Sequence, residues 1–108
     1  MYHAKAADGT SMIDGLQRYQ PAIDRLVNVI AVVGPLTSVP QIVEIWFVDK
    51  SAAGVSLLTW SLFLVMAVVW LLYGIVHASR PIIVSNALWF VAQGIIVLGA
   101  IRYDFDWL

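Results

Sequence analysis

The sequence has no cysteine. That excludes disulfides, thiolate metal sites and cysteine nucleophiles, and it leaves the redox compartment open. Charge is scarce too. Only 12% of the 108 residues are Asp, Glu, Lys or Arg, about half the share of an ordinary soluble domain, while 61% are hydrophobic and the mean hydropathy is +0.85. Most of such a surface is not made for water. The net charge is −1, so there is no basic stripe to neutralise phosphates and no nucleic-acid partner is expected. Histidine is limited to His3 and His77, and no pair of carboxylates lies within an apolar stretch. Neither a metal, a cofactor nor an enzyme's acid–base machinery is therefore expected.

What the sequence has instead is long uncharged runs. Residues 51–79 and 81–101 contain no Asp, Glu, Lys or Arg. A spanning helix needs about 20 predominantly apolar residues. Three spans are expected, over 26–48, 56–77 and 82–101. The chain then divides into an extramembrane segment 1–23, a membrane bundle 24–102 and a tail 103–108. The fold class is an all-α integral membrane protein, a bundle of three transmembrane helices. The joints, Asp49 to Gly54 and Ala78 to Pro81, are short and rich in turn formers, so consecutive helices must be antiparallel neighbours. Pro81 suits the first turn of the third helix, where its missing N–H is no loss. Residues 12–19 could form a short interfacial helix, and Tyr103, Phe105 and Trp107 resemble an aromatic interfacial belt.

Polar residues inside spans are costly and tend to face a bundle interior or a wet cavity. In the first span Asn28, Pro35, Ser38 and Gln41 fall near helical spacing on one stripe. Pro40 removes a backbone hydrogen bond and bends the helix, and Pro35 does the same about one turn earlier. The pair is either a fixed kink or a hinge. Glu44, near the end of its span, is expected to snorkel to the interface. The second span carries a bulky stripe of Trp60, Phe63, Met66, Trp70, Tyr73 and His77, most of it expected to be core packing. In the third span Asn86 and Gln93 share a face, and Gln93 is expected to hold two helices together by hydrogen bonding.

One pair stands out by depth. The second joint centres near residue 78, with Trp70 eight residues before it and Asn86 eight after. At about 1.5 Å rise per residue both lie roughly 12 Å from the turn. In a hydrocarbon core about 30 Å thick, that is close to the midplane. An indole face stacks on the apolar face of a pyranose, and an amide both donates to and accepts from hydroxyls. The pair is uncharged, as a neutral polyol requires.

The run Ser38-Val39-Pro40-Gln41 resembles the signature of PQ-loop membrane proteins. With Gly54-Val55-Ser56, Trp70-Leu71-Leu72-Tyr73-Gly74 and Ser85-Asn86-Ala87 in this order and spacing, the chain resembles the bacterial SemiSWEET sugar transporters over about residues 24–102. The resemblance implies a parallel homodimer with the transport path along its two-fold axis. It implies facilitative uniport of a mono- or disaccharide by alternating access, in the cell's inner (plasma) membrane. It makes Trp70 and Asn86 the substrate contacts, Pro40 with Gln41 the hinge, and Tyr73 part of a gate. It also places the N-terminus outside and the C-terminus in the cytoplasm. That opposes the charge count, where Lys5, Arg18, Arg25 and Arg80 outnumber Lys50 and Arg102 and lean the N-terminus inward. The sequence departs from the family pattern at Pro35, Met66 and Trp89, and in its longer N-terminal segment. Met66 and Trp89 are expected to narrow the cavity. The expected partners are thus a second copy, the lipid bilayer and a small neutral sugar. Two alternatives stay open. One is a carrier of another small neutral metabolite. The other is a non-transporting anchor, like the PQ-loop-like domain found with lipid A disaccharide synthesis.

Overall fold

The computed structural model describes residues 10–103, 105 and 106. His3, Lys5 and Trp107, which entered the reading of the sequence, lie outside the described residues. In chain order the elements are α1 (Thr10–Gln17), α2 (Gln20–Leu36), α3 (Val39–Val43), a π-helical turn (Glu44–Val48), β1 (Ala52–Ser56), α4 (Leu57–Val76), α5 (Arg80–Arg102) and β2 (Phe105–Asp106). Three stretches are long and apolar enough to cross a bilayer: Gln20–Val48, Leu57–Val76 and Arg80–Arg102. They make a three-helix membrane bundle. α1 lies before it and makes little contact with it.

Local chemistry sets the helix ends. Ser56 is extended and caps α4, its Oγ accepting from the Thr59 N–H at 3.1 Å. α4 ends at His77, and Ala78 adopts the left-handed conformation with φ 52°. The Ser79 N–H reaches back to the Gly74 carbonyl at 2.9 Å, and the Ala78 N–H to that of Ile75 at 3.2 Å. This is the paired bonding of a Schellman turn, and it folds the chain back sharply. α5 then starts with Pro81 in its first turn. At the other end the chain from α3 passes into the π turn, where the Asp49 N–H bonds the Glu44 carbonyl at 2.7 Å. Beyond it β1 pairs in parallel with β2, Ala52 opposite Phe105 and Ser56 opposite Asp106. This short pairing is the one departure from an all-α fold among the described residues.

α5 is the central helix. α4 packs along much of its length and α2 packs on another side of it, while α2 and α4 scarcely meet. This order decides which side chains are buried. On α4 the buried residues are Ala67 and Gly74, which let its backbone approach α5 closely. The bulky stripe read as core is therefore not core. Phe63, Met66, Trp70, Tyr73 and His77 are exposed on a face that none of the described elements covers, and Trp60 is half-buried.

The densest core sits at the β1 end, where Ile45, Ala52, Val55, Ile96 and Ala100 are buried together with Trp46 and Tyr103 packed against them. Trp46 fastens the end of the first span to α5 by donating its Nε1–H to the Ile95 carbonyl at 3.1 Å. Gly99 permits that approach, since a Cβ there would stand 2.7 Å from Trp46 Nε1 and 2.8 Å from Ile45 Cγ2. Gly99→Ala is expected to cost about 1–3 kcal/mol by overpacking, seen as a fall in the thermal unfolding midpoint in detergent. An unchanged midpoint would mean that the π turn yields freely.

Candidate functional site

The exposed face of α4 and the adjoining face of α5 form an open cleft of about 180 Å³. Phe63, Met66, Ala67 and Trp70 line it from α4, and Asn86, Trp89 and Gln93 line it from α5. Trp70 and Asn86, placed at one depth by counting residues, thus share one cleft. No charged side chain lines it, which suits a neutral ligand.

The polar groups in it differ in what they have free. Asn86 donates one Nδ2–H to the Ile82 carbonyl one turn back at 2.9 Å, which leaves its Oδ1 to accept from a ligand and its second Nδ2–H to donate. Gln93 is 8% exposed, and its Oε1 is buried without a hydrogen-bond partner. Within this chain the hydrogen bond by which Gln93 was expected to tie two helices together is not made to its Oε1. Trp70 is 52% exposed and meets Tyr73 edge-on at 5.5 Å. Tyr73 in turn stacks on His77 at 4.0 Å, and His77 Nδ1 lies 2.9 Å from the Tyr73 carbonyl. Tyr73 and His77 do not line the cleft and continue its aromatic wall towards the α4–α5 turn. Met66 and Trp89, the two departures from the family pattern, both line it. Trp89 also lies 3.9 Å from where a Cβ on Gly34 would stand, so it bridges α2 and the cleft.

A second hollow of about 210 Å³ lies between α2 and α5 on the other side of Asn86. Its walls include Val27, Ile30, Ala31 and Ile82, and Asn86 with Ser85 gives it a polar edge.

Pro40 and Gln41 lie outside both hollows. The first span breaks between Leu36 and Val39, with Thr37 and Ser38 in a turn. Two prolines bracket the break, Pro35 in the last turn of α2 and Pro40 in the first turn of α3. Neither has an N–H to give the carbonyl four residues back. The Ser38 Oγ–H donates to the Pro35 carbonyl at 2.6 Å, and the Thr37 hydroxyl donates to that of Gly34. The proposed polar stripe does not keep one environment along this span. Pro35 and Ser38 are buried, Gln41 is half-buried and Asn28 is exposed.

Among the described residues no three His, Cys, Asp or Glu stand together as metal ligands would. Trp46 is a structural residue that the sequence reading missed. Its position among Ile, Phe and Val gave no sign that its N–H would cross to α5. The bare carbonyl of Gln93 was equally hidden, since a sequence shows an amide and not its lack of a partner.

No family model matches the chain. The sugar transporter SemiSWEET of Vibrio sp. (strain N418) is 33% identical to it over 89 residues, a match that covers 82% of this chain and 92% of that protein.

Proposed function

Since the chain belongs to the SemiSWEET family, we propose that it carries a small neutral sugar down its gradient across the cell's inner (plasma) membrane, by alternating access in a parallel homodimer. The observation that carries this reading is the uncharged cleft in which Trp70 and Asn86 meet near the middle of the bundle. A midplane site is what alternating access needs, because both faces of the membrane must reach it in turn.

The open side of the cleft supports a homodimer. α5 is already covered by α2 and α4, so among the described residues no helix walls off the exposed face of Trp70. A second copy related by a two-fold axis along the membrane normal would close it with an identical face. In this arrangement Trp70 stacks on the sugar ring and Asn86 Oδ1 accepts from a hydroxyl. Pro40 and Gln41 form the hinge, and Tyr73 helps to gate the end near the α4–α5 turn. The N-terminus lies outside and the C-terminus in the cytoplasm. No group in the cleft is set to break a bond, and the role assigned to the cleft is binding and release.

The test is uptake of radiolabelled sugars into proteoliposomes holding the purified protein and no ion gradient. Saturable uptake, with counterflow when the vesicles are preloaded with unlabelled sugar, is expected. Uptake of no sugar above protein-free vesicles would overturn the reading. Sugar uptake that requires an imposed proton or sodium gradient would overturn the uniport mechanism.

A further inference from the structure

We propose that α1 is a lid that swings about Arg18 and Tyr19 to cover the mouth of the transport path at the α4–α5 turn. This rests on the reading of the chain as a carrier and gives that carrier a moving part outside the membrane.

The joint has a cause in the sequence. Pro21 sits in the first turn of α2 and has no N–H for the Gln17 carbonyl, so α1 and α2 cannot run on as one regular helix. The chain lapses into a turn at Arg18 and Tyr19. Tyr19 has φ −99° and ψ 11°, off the helical values, and its N–H bonds the Leu16 carbonyl three residues back at 2.9 Å. Beyond this joint α1 makes little contact with the bundle.

The register of α2 sets the direction of the swing. The two helices meet at an elbow, a hollow of about 320 Å³ lined by Ile13, Leu16 and Gln17 on one arm and Gln20, Ile23 and Asp24 on the other. On α2 these last three share a stripe with Val27, Ala31 and Pro35, at spacings of three and four residues. Ala31 and Pro35 are buried, and α5 is the helix on which α2 packs. Val27 walls the hollow that Pro81 and Ile82 close from α5. The elbow therefore opens over α5 and not towards the lipid behind α2. In line beneath it lies the hollow that ends at Asn86.

The lengths agree. Val27 and Pro81 wall one hollow, so the α4–α5 turn stands near the level of Val27. α2 rises above that level by seven residues, about 10 Å, and the eight residues of α1 are about 12 Å long. Folded down at its joint, α1 reaches the turn. Ile13 and Leu16 are more than half exposed in the raised position, and seating them towards Val27 and Pro81 takes them out of water. Gln17, Gln20 and Asp24 line the same elbow, and such a half-polar contact can open again.

The experiment uses an engineered disulfide, and the lack of any native cysteine means that only the added thiols respond. Met12→Cys lies towards the tip of α1, and Ser79→Cys lies at the start of α5, where the serine side chain makes no capping bond. A bridge forms only when the two Cα atoms come within about 7 Å. Under mild oxidant the pair is expected to bridge within one chain and to cut sugar uptake in proteoliposomes by about tenfold or more, and reductant is expected to restore it. Adding Ile13→Gln and Leu16→Gln keeps good helix formers and removes the apolar seat, and is expected to slow bridging by about tenfold. A bridge that leaves uptake at the reduced rate would overturn the lid. So would failure to bridge while each thiol reacts with a maleimide. A Met12→Cys variant that readily bridges two copies would put the stripe of α1 on a second copy and overturn the lid, and strong quenching of a label at that position by nitroxide lipids would put it on the bilayer. Uptake of no sugar by the wild type would sink the carrier reading, while bridging between positions 12 and 79 would still report whether α1 folds down.

Discussion

Trp70→Ala is expected to abolish sugar uptake, and Asn86→Ala to lower it by about a hundredfold, with the helices and the assembled protein intact. Trp70 is 52% exposed and meets Tyr73 edge-on, so its truncation opens little enclosed cavity inside the chain. What it removes is the broad apolar face that α4 offers at the depth of Asn86. The Asn86 amide uses one of its two N–H groups on the Ile82 carbonyl, so the loss to a ligand is the Oδ1 acceptor and the second N–H. A sugar hydroxyl that gave up water to enter the cleft and met no acceptor would carry a penalty of about 1–3 kcal/mol. In the proposed homodimer each substitution would act twice, because one substrate would lie between two copies of the cleft. Two losses of about 1.4 kcal/mol multiply to a hundredfold. The measurement is initial uptake in proteoliposomes, paired with gel filtration and far-ultraviolet circular dichroism. Uptake at the wild-type rate in both variants would sink the assignment of the site.

How much of this was legible in the sequence depended on what each feature is made of. The spans were legible because charge is absent from residues 51–79 and 81–101, and lipid tolerates little charge. The α4–α5 turn was legible from Pro81, and the shared depth of Trp70 and Asn86 followed from counting along unbroken helices. The order of the helices was not legible. In water an apolar stripe marks the buried face of a helix, but in lipid every face is apolar and the stripe loses its meaning. The bulky residues of α4 were accordingly assigned to a core that is really made by Ala67 and Gly74. The better signal was the small residues, which mark where backbones approach. The π turn at Glu44–Val48 and the β1–β2 pairing carry no local signature, since tertiary packing of Trp46 and Ile45 on Gly99 holds that end. Counting and side-chain chemistry paired Trp70 with Asn86 as a candidate site, the family resemblance agreed with that pair, and neither pointed to the bare Oε1 of Gln93.

Pro40→Ala is expected to slow transport by about tenfold or more while sugar binding changes less than about twofold. The two parts of the first span are fastened to different parts of α5. Above the break, Ala31 and Pro35 are buried and Gly34 faces Trp89, while below it Trp46 donates to Ile95 and Ile45 packs at Gly99. If the bundles rock to expose the cleft first to one side and then to the other, the strain falls on the residues between these two attachments. There the helix has already given up its regular bonding. The Leu36 carbonyl has no donor four residues on, and the hydroxyls of Thr37 and Ser38 bond backwards to Gly34 and Pro35 instead. Alanine at position 40 would return that N–H to Leu36 and favour a continuous helix, by up to about 3 kcal/mol on the helix-interior scale. If half of this separates the straight state from the bent one, the rate of interconversion drops about tenfold. Pro40 is exposed, so the change opens no cavity, and the thermal midpoint is expected to rise. Pro35→Ala is a weaker version of the same experiment, because Ser38 still bonds the carbonyl of residue 35 in either case. Tryptophan fluorescence titration measures binding and proteoliposome counterflow measures turnover. A variant that binds and turns over like the wild type would show that the break is a fixed kink, and the hinge would have to lie elsewhere.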